Sequence, residues 1–71
     1  MIKIYVRDCN GNREMWKFPS ESIFISFYNN SIESLNEDIY EIQMVIYHGV
    51  CVYSGLSSRG MTFEELYGFF A

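Results

Sequence analysis

The chain has 71 residues, of which 49% are hydrophobic and 18% aromatic, and its formal net charge is −4. This length predicts one domain, residues 1–71, near the lower size limit for a self-sufficient core. The hydrophobic content excludes a disordered chain, and the acidic balance disfavours a protein that binds nucleic acid through its phosphates. Because so short a chain has difficulty burying six Phe, six Tyr and one Trp, we expect an exposed aromatic surface or a homodimer.

The first predicted element is a β-hairpin centred on Asn10 and Gly11. Residues 2–7 alternate apolar and polar side chains, as a half-buried strand does. The second arm covers residues 13–18 and ends at Pro19, which cannot continue a hydrogen-bonded ladder in a central strand. The Asn-Gly pair is a strong signal for a hairpin with a two-residue loop.

The length of this loop decides which side chains face one another. A two-residue loop pairs Tyr5 with Trp16, and it also pairs Arg7 with Glu14. A three-residue loop instead pairs Arg7 with Arg13, which sets two like charges against each other. Opposite charges stabilise a cross-strand pair and like charges destabilise it, so we expect the two-residue loop.

The middle of the chain is predicted to contain a third strand followed by an acidic loop. Residues 20–22 read as a turn, and residues 23–28 alternate in a strand pattern whose odd positions are the expected core face. Residues 31–38 are expected to form a loop with one helical turn, for which Asn30 and Glu33 could supply a capping box. The sequence contains no Lys or Arg from position 18 to position 58.

A second hairpin is predicted from Tyr40 to Gly55, with His48 and Gly49 as its two-residue turn. This turn sets four cross-strand pairs: Tyr47 with Val50, Ile46 with Cys51, Val45 with Val52, and Met44 with Tyr53. Both faces near the turn are apolar, so the hairpin is expected to lie between two layers. One layer can come from this chain, and the other is expected from another molecule.

The C-terminal segment gives the clearest helix signal. Thr62 and Glu65 match a capping box, and Met61 and Leu66 match a hydrophobic staple. Four side chains then follow the spacing of a buried stripe, namely Phe63, Leu66, Tyr67 and Phe70. The predicted fold class is therefore α+β: a small antiparallel sheet of about five strands (β-β-β-turn-β-β-α) with one C-terminal helix packed on one face.

No pattern in the sequence supports catalysis, a metal site or a cofactor. His48 is the only histidine and is expected to be a turn residue, while Cys9 and Cys51 lack the partners of a zinc site or an activated thiolate. We therefore expect a protein that is not an enzyme. The sequence shows no membrane span and no signal peptide, which predicts a cytoplasmic protein without a membrane partner.

The leading hypothesis is a small acidic, non-catalytic protein-binding module that associates with itself as a dimer. A sharper form is an inhibitor of the kind encoded by phages and mobile elements, which presents its carboxylates to a basic, nucleic-acid-binding host defence enzyme. The expected partner-binding residues are Glu33, Glu37, Asp38, Glu41, Tyr47, Tyr5 and Trp16.

Two alternatives remain open. The first is a homodimeric structural or assembly module whose aromatic face is covered by its twin. The second is a single-stranded nucleic-acid-binding protein that uses the first hairpin. In the two-residue-loop register, Tyr5 and Trp16 share a face with Lys3 and Arg7, and aromatic rings interleaved with cations form platforms for single strands. The negative net charge opposes this second alternative.

Overall fold

The computed structural model describes residues 1–36, 38–55 and 60–71. Within these ranges the chain forms four strands and two helices: β1 (Ile2–Asp8), β2 (Arg13–Phe18), α1 (Glu21–Asn30), β3 (Tyr40–Tyr47), β4 (Val50–Ser54) and α2 (Phe63–Phe70). The strands form one sheet in the order β2-β1-β3-β4, and every neighbouring pair is antiparallel. The predicted α+β class, antiparallel sheet and C-terminal helix are confirmed, with four strands in place of about five.

The predicted third strand is wrong, because residues 23–28 belong to helix α1. Ser20 caps this helix by accepting a hydrogen bond from the backbone N–H of Ile23. Phe24 and Tyr28 are buried four residues apart on one side of the helix, whereas Ile23 is 49% exposed. The alternating pattern therefore coincides with a helical stripe, and packing of that stripe onto the sheet overrides the β-propensity of the isoleucines. Asn30 is the last residue of α1 and does not cap the turn that follows it.

The loop between α1 and β3 contains the single helical turn expected of it. The backbone N–H groups of Ser34 and Leu35 both donate to the carbonyl of Ser31. Leu35 is buried in the core and holds this turn against the rest of the molecule. Glu37 lies outside the described residues.

The first hairpin adopts the three-residue loop, so the predicted pairing is wrong by one residue. Arg7 lies opposite Arg13, and Tyr5 lies opposite Met15. The carboxylate of Asp8 stabilises the loop by accepting hydrogen bonds from the backbone N–H groups of Asn10 and Asn12, both at 2.9 Å. These contacts lower the pKa of Asp8, with the Asn12 N–H making the largest contribution.

Relative to the predicted pairing, the one-residue shift moves every side chain of β2 to the opposite face of the sheet. Trp16 now lies opposite Ile4 and Phe18 opposite Ile2, both on the face that carries the core. Burial of two aromatic rings stabilises the fold by a few kcal/mol, whereas an exposed charge pair contributes about 1 kcal/mol or less. Ring burial therefore outweighs the like-charge contact of Arg7 and Arg13. The charge of Arg7 is also neutralised by an ion pair with Glu41 on the neighbouring strand β3, at 2.5 Å.

The second hairpin has the predicted two-residue turn. His48 and Gly49 have φ values of 50° and 80°, as a tight hairpin turn of this kind requires. The pairs Tyr47–Val50 and Ile46–Cys51 are confirmed. The two pairs farther from the turn are wrong, because Val52 is an extra residue in β4 and Tyr53 lies opposite Val45.

A bulge in β3, where this strand pairs with β1, allows side chains on both sides of the bulge to point into the core. Tyr5 pairs with Met44 and Val6 pairs with Ile42, so Gln43 has no partner on β1. Without this bulge, Ile42 and Val45 would point to opposite faces, because side chains alternate along a regular strand. With it, both are buried.

The core lies between one face of the sheet and the two helices. Its buried members come from every element except β4 and from the loop after α1: Ile2, Ile4, Val6, Phe18, Phe24, Tyr28, Leu35, Ile42, Val45, Phe63 and Leu66. Helix α2 has the predicted capping box between Thr62 and Glu65. The two helices meet through Tyr28 and Tyr67, whose rings stack with centroids 4.6 Å apart, and both helices pack on the same face of the sheet.

Candidate binding surfaces

The second face of the sheet is not covered by either helix. Here it is called the open face, and its side chains are Lys3, Tyr5, Arg7, Arg13, Met15, Lys17, Glu41, Met44, Ile46, Cys51 and Ser54. They are the residues that alternate with the core positions along the four strands. None of them belongs to the buried core cluster.

The open face has an apolar centre. Tyr5 lies between Met15 of β2 and Met44 of β3, and these three side chains form a row across the sheet. Tyr5 is 37% exposed and Met15 is 39% exposed. Ile46, half-buried, extends the apolar area next to Lys3. An aromatic ring and flexible thioethers on a sheet face that neither helix covers are features of adaptable protein-binding surfaces.

Cations border this apolar row on both sides. Lys3 lies directly opposite Lys17 at one side of it, and Arg7 lies opposite Arg13 at the other. Four residues along a strand span about 13 Å, which is the separation of the two cationic pairs. Four of the five Lys and Arg residues in the sequence are therefore on this face, although the chain as a whole is acidic.

One carboxylate lies among these cations. Glu41 accepts hydrogen bonds from the Arg7 guanidinium at 2.5 Å and from the Gln43 amide at 3.3 Å. Within the described residues, the ion pairs found for the open-face cations are limited to this Arg7–Glu41 contact. The open face thus keeps a net positive charge.

The sequence-predicted residues do not converge on one surface. Tyr5 and Glu41 lie on the open face, whereas Trp16 and Tyr47 lie on the covered face, half-buried beside the core. Trp16 therefore does not share a face with Tyr5, Lys3 and Arg7, which corrects the expectation from the two-residue loop. Glu33 and Asp38 are exposed in the loop between α1 and β3, and Glu37 is outside the described residues.

Tyr47 makes an internal contact. Its hydroxyl donates a hydrogen bond to the carboxylate of Glu21 at 2.5 Å, and the Nε2 atom of His48 lies 3.5 Å from the same oxygen. The hydrogen bond from Tyr47 lowers the pKa of Glu21, and it raises the pKa of Tyr47 because the neutral hydroxyl is the donor. This contact fastens the start of α1 to the end of β3.

Sequence reasoning missed Arg13, Met15 and Lys17 as members of the open face. A three-residue loop in the first hairpin predicts that these residues lie on the open face. That loop was disfavoured because it sets Arg7 opposite Arg13. The side chain of Asp8 at the start of the loop and the glycine at its end could have indicated it, because a type I turn followed by a left-handed glycine is the usual three-residue hairpin loop. Gly11 has a φ of 87°.

A depression lies at the edge of the sheet on the covered side. It is called here the aromatic groove, has a volume of about 380 Å³, and is lined by Trp16, Lys17, Phe18, Phe27, Ser31, Ser34, Leu35 and Tyr40. Strand β2, the end of α1 and the loop after it form its walls. Trp16 is half-buried, and its ring packs edge-on against those of Phe27 and Tyr40, with centroids 5.5 and 5.0 Å apart.

The described residues contain no group of three or more His, Cys, Asp or Glu side chains placed to hold a metal ion. Among the same residues, neither helix has the length and hydropathy needed to cross a bilayer. Comparisons with protein-family models, with curated proteins and with solved structures find no match for this chain.

Proposed function

We propose that this protein is a non-catalytic protein-binding module that docks an acidic partner on the open face of its sheet. The observation that carries the proposal is the row of Met15, Tyr5 and Met44, bordered on both sides by cationic pairs. Apolar contact at the centre of an interface supplies affinity, and charges at its rim supply orientation and association rate.

The cationic pairs support a partner that carries carboxylates. Lys3 faces Lys17, and Arg7 faces Arg13, across one pair of strands. Like charges directly opposite each other destabilise a sheet. Neither cationic pair contributes to the core. An anionic partner would neutralise both pairs and so remove the repulsion within each.

The charges also disfavour a twin seated on the same surface. An isologous dimer would bring the cations of one open face against those of the other, because both copies use the same patch. Each copy contributes one carboxylate, Glu41, to that contact. We therefore propose a monomer at micromolar concentration, with the open face reserved for a different molecule.

The inhibitor hypothesis requires a basic partner and carboxylates of the loop between α1 and β3. Glu33 and Asp38 are exposed in this loop. Asp38 lines one depression together with Glu41, which is engaged by Arg7. A basic partner remains a second candidate, supported by the exposed carboxylates of Glu33 and Asp38.

The test uses a labelled octapeptide of alternating Glu and Leu, with amide chemical shifts of the protein as the map of contact. We expect shifts concentrated at the open-face positions of β1, β2 and β3 and binding that weakens as salt is added. The double variant Arg13→Glu/Lys17→Glu should weaken binding about tenfold or more, because it reverses two rim charges.

The matched control is Glu64→Lys, an exposed position on α2. It changes the net charge in the opposite direction and leaves the open face intact, so binding should be preserved or slightly improved. Unchanged affinity in the double variant, or shifts on the helices alone, would overturn the proposal. Binding of oligothymidylate with greater affinity than the acidic peptide would favour the nucleic-acid alternative, and a dimeric mass by light scattering would favour the assembly module.

A further inference from the structure

The apolar row of the open face has the width of an α-helix. Met15, Tyr5 and Met44 occupy three neighbouring strands. Neighbouring strands lie about 4.8 Å apart, so the row extends over about 10 Å, which is close to the diameter of a helix. The two cationic pairs lie on either side of the row along the strands, about 13 Å apart, and this distance corresponds to a little more than two helical turns.

The backbone of the partner determines which element lies well on a sheet face. A single extended segment laid across the face leaves its backbone N–H and C=O groups without partners wherever water is excluded. An α-helix satisfies these groups internally and presents side chains alone. The covered face of the same sheet already packs two helices. A helix is therefore the element that the open face accommodates with the smallest loss of backbone hydrogen bonds.

The spacing of the open-face rows matches a ridge of helical side chains. Residues i, i+4 and i+8 form such a ridge and span about 12 Å along the helix axis. Lys3, Tyr5 and Arg7 span about 13 Å along β1. A helix aligned with β1 therefore sets the central side chain of its ridge on Tyr5 and one outer side chain on each cationic pair. Carboxylates at the two outer positions complement the cations.

A depression of the open face supports an apolar side chain at the central position. It has a volume of about 890 Å³, and Tyr5 and Met44 contribute to its lining. Arg13 lines it together with two carboxylates, Glu14 and Glu41, which offset the positive charge there. The group that enters this depression is therefore uncharged, and a leucine or phenylalanine fits within the volume.

The two cationic pairs differ in net charge, which gives the partner helix a direction. Arg7 is paired with Glu41, whereas the ion pairs found among the described residues include none for Lys3 or Lys17. The Lys3–Lys17 pair therefore carries the stronger positive potential. The C-terminus of a helix carries a partial negative charge, so it is favoured over this pair.

We propose that the open face binds an acidic amphipathic α-helix of the partner, aligned with β1 and with its C-terminal end over Lys3 and Lys17. Its contact ridge carries an acidic, an apolar and an acidic side chain at positions i, i+4 and i+8. This inference rests on the proposed function. It adds the secondary structure of the partner element, its side-chain pattern and its direction.

The probe is a labelled helical peptide of about 17 residues, a length that supports a helix in water. It carries Glu, Leu and Glu at i, i+4 and i+8, and alanine and glutamine elsewhere. The matched control has the same composition, with the two glutamates exchanged for glutamines on the opposite side of the helix. We expect the patterned peptide to bind roughly tenfold or more tightly than the control, measured by fluorescence anisotropy at low salt.

Two further measurements test the direction. A nitroxide at the C-terminal end of the patterned peptide should broaden the amide signals of Lys3 and Lys17, and one at the N-terminal end should broaden those of Arg7 and Arg13. Lys17→Glu should weaken binding by about tenfold, and Arg13→Glu by about threefold, because the lysine pair has the larger net charge. Glu64→Lys, on α2, should leave binding unchanged or slightly improved.

The outcomes separate this inference from the proposed function. Equal affinity of the patterned and control helices would overturn the inference, and the proposed function would stand if the alternating Glu-Leu octapeptide still bound the open face. Loss of binding by both helices and by the octapeptide would overturn both. Broadening in the reverse order would contradict the direction. Tighter binding of oligothymidylate than of the patterned helix would replace the helix with a single-stranded nucleic acid.

Discussion

The two faces of the sheet are built by the same strands and differ in almost every property. The covered face carries mainly aliphatic and aromatic side chains that are buried or packed against the core, and the open face carries four cations around a partly exposed apolar row. Along β1 the two sets alternate one residue at a time, so Ile4 is fully buried while Tyr5 beside it is 37% exposed. The comparison teaches that stability and recognition can be changed independently in this protein, by substitutions at adjacent positions.

The largest expected effect comes from breaking the covered face. Phe24 is fully buried and packs edge-on against Phe18 and Phe70, with ring centroids 5.3 and 5.4 Å away. Phe24→Ala should lower the free energy of unfolding by about 3–5 kcal/mol, measured by urea denaturation. The matched change on the open face, Tyr5→Ala, should cost less than about 1 kcal/mol.

A loss of that size is a large part of the stability of so small a domain. Phe24→Leu keeps most of the volume and should cost about 1–2 kcal/mol, so it preserves a measurable transition if Phe24→Ala does not fold. If Tyr5→Ala destabilised the protein as much as Phe24→Leu, the separation of the two faces would be wrong.

A smaller effect is expected from the loop that assigns the residues of β2 to the two faces. Gly11 has a φ of 87°, a conformation that side-chain-bearing residues rarely adopt, and its missing Cβ has nothing within 4 Å. Gly11→Ala should therefore cost about 1–2 kcal/mol through the backbone alone. The same denaturation experiment measures it.

The control for this change has the opposite sign. Gly68 lies in helix α2 with ordinary φ and open space around its Cβ position. Gly68→Ala should stabilise the protein by about 0.5–1 kcal/mol, because alanine favours the helix. A neutral Gly11→Ala would mean that the three-residue loop does not set the register.

The smallest effect concerns the contact that fastens α1 over the covered face. The hydrogen bond from Tyr47 lowers the pKa of Glu21, so this contact stabilises the fold at neutral pH and its contribution is lost as the pH falls through the lowered pKa. The pKa of Tyr47 is raised by the same bond, so on the alkaline side the contribution is lost as the pH rises through the raised value.

Tyr47→Phe removes this hydrogen bond, and with it the alkaline dependence and the largest contribution to the acid dependence. We expect stability that falls less steeply in acid and in alkali than that of the parent, measured by urea denaturation at a series of pH values. The carboxyl resonance of Glu21 should titrate at a higher pH in the variant, closer to the ordinary value. Tyr5→Phe is the matched control on the open face and should leave the Glu21 titration unchanged.

Local signals were sufficient wherever a few neighbouring residues determine the backbone. Thr62 and Glu65 form the predicted capping box, and His48 and Gly49 form the predicted turn, because each depends on hydrogen bonds or φ values within four residues. The spacing of the apolar residues in α2 likewise predicted which face of the helix packs on the core. Phe63 and Leu66 are buried as expected.

The candidate site was less accessible to sequence reasoning. Tyr5 and Glu41 were named and lie on the open face, but Trp16 lies on the covered face and Lys17 was not named. A shift of one residue in the register exchanges the β2 side chains on the open face with those on the covered face, because side chains alternate along a strand. The aromatic groove also required the fold, since Phe27 reaches Trp16 only when residues 23–28 are helical.

The amino-acid sequence by itself determined the α+β class, the antiparallel pairing of adjacent strands, the turn at His48 and the terminal helix. Tertiary structure decided whether residues 23–28 were strand or helix, and how β2 was aligned with β1. In both places the local sequence pattern allows two conformations, and the structure adopts the one that brings Phe24 and Phe18 together in the core. Burial of aromatic rings, which depends on residues distant in sequence, outweighed the local preferences and thereby placed the cations on the open face.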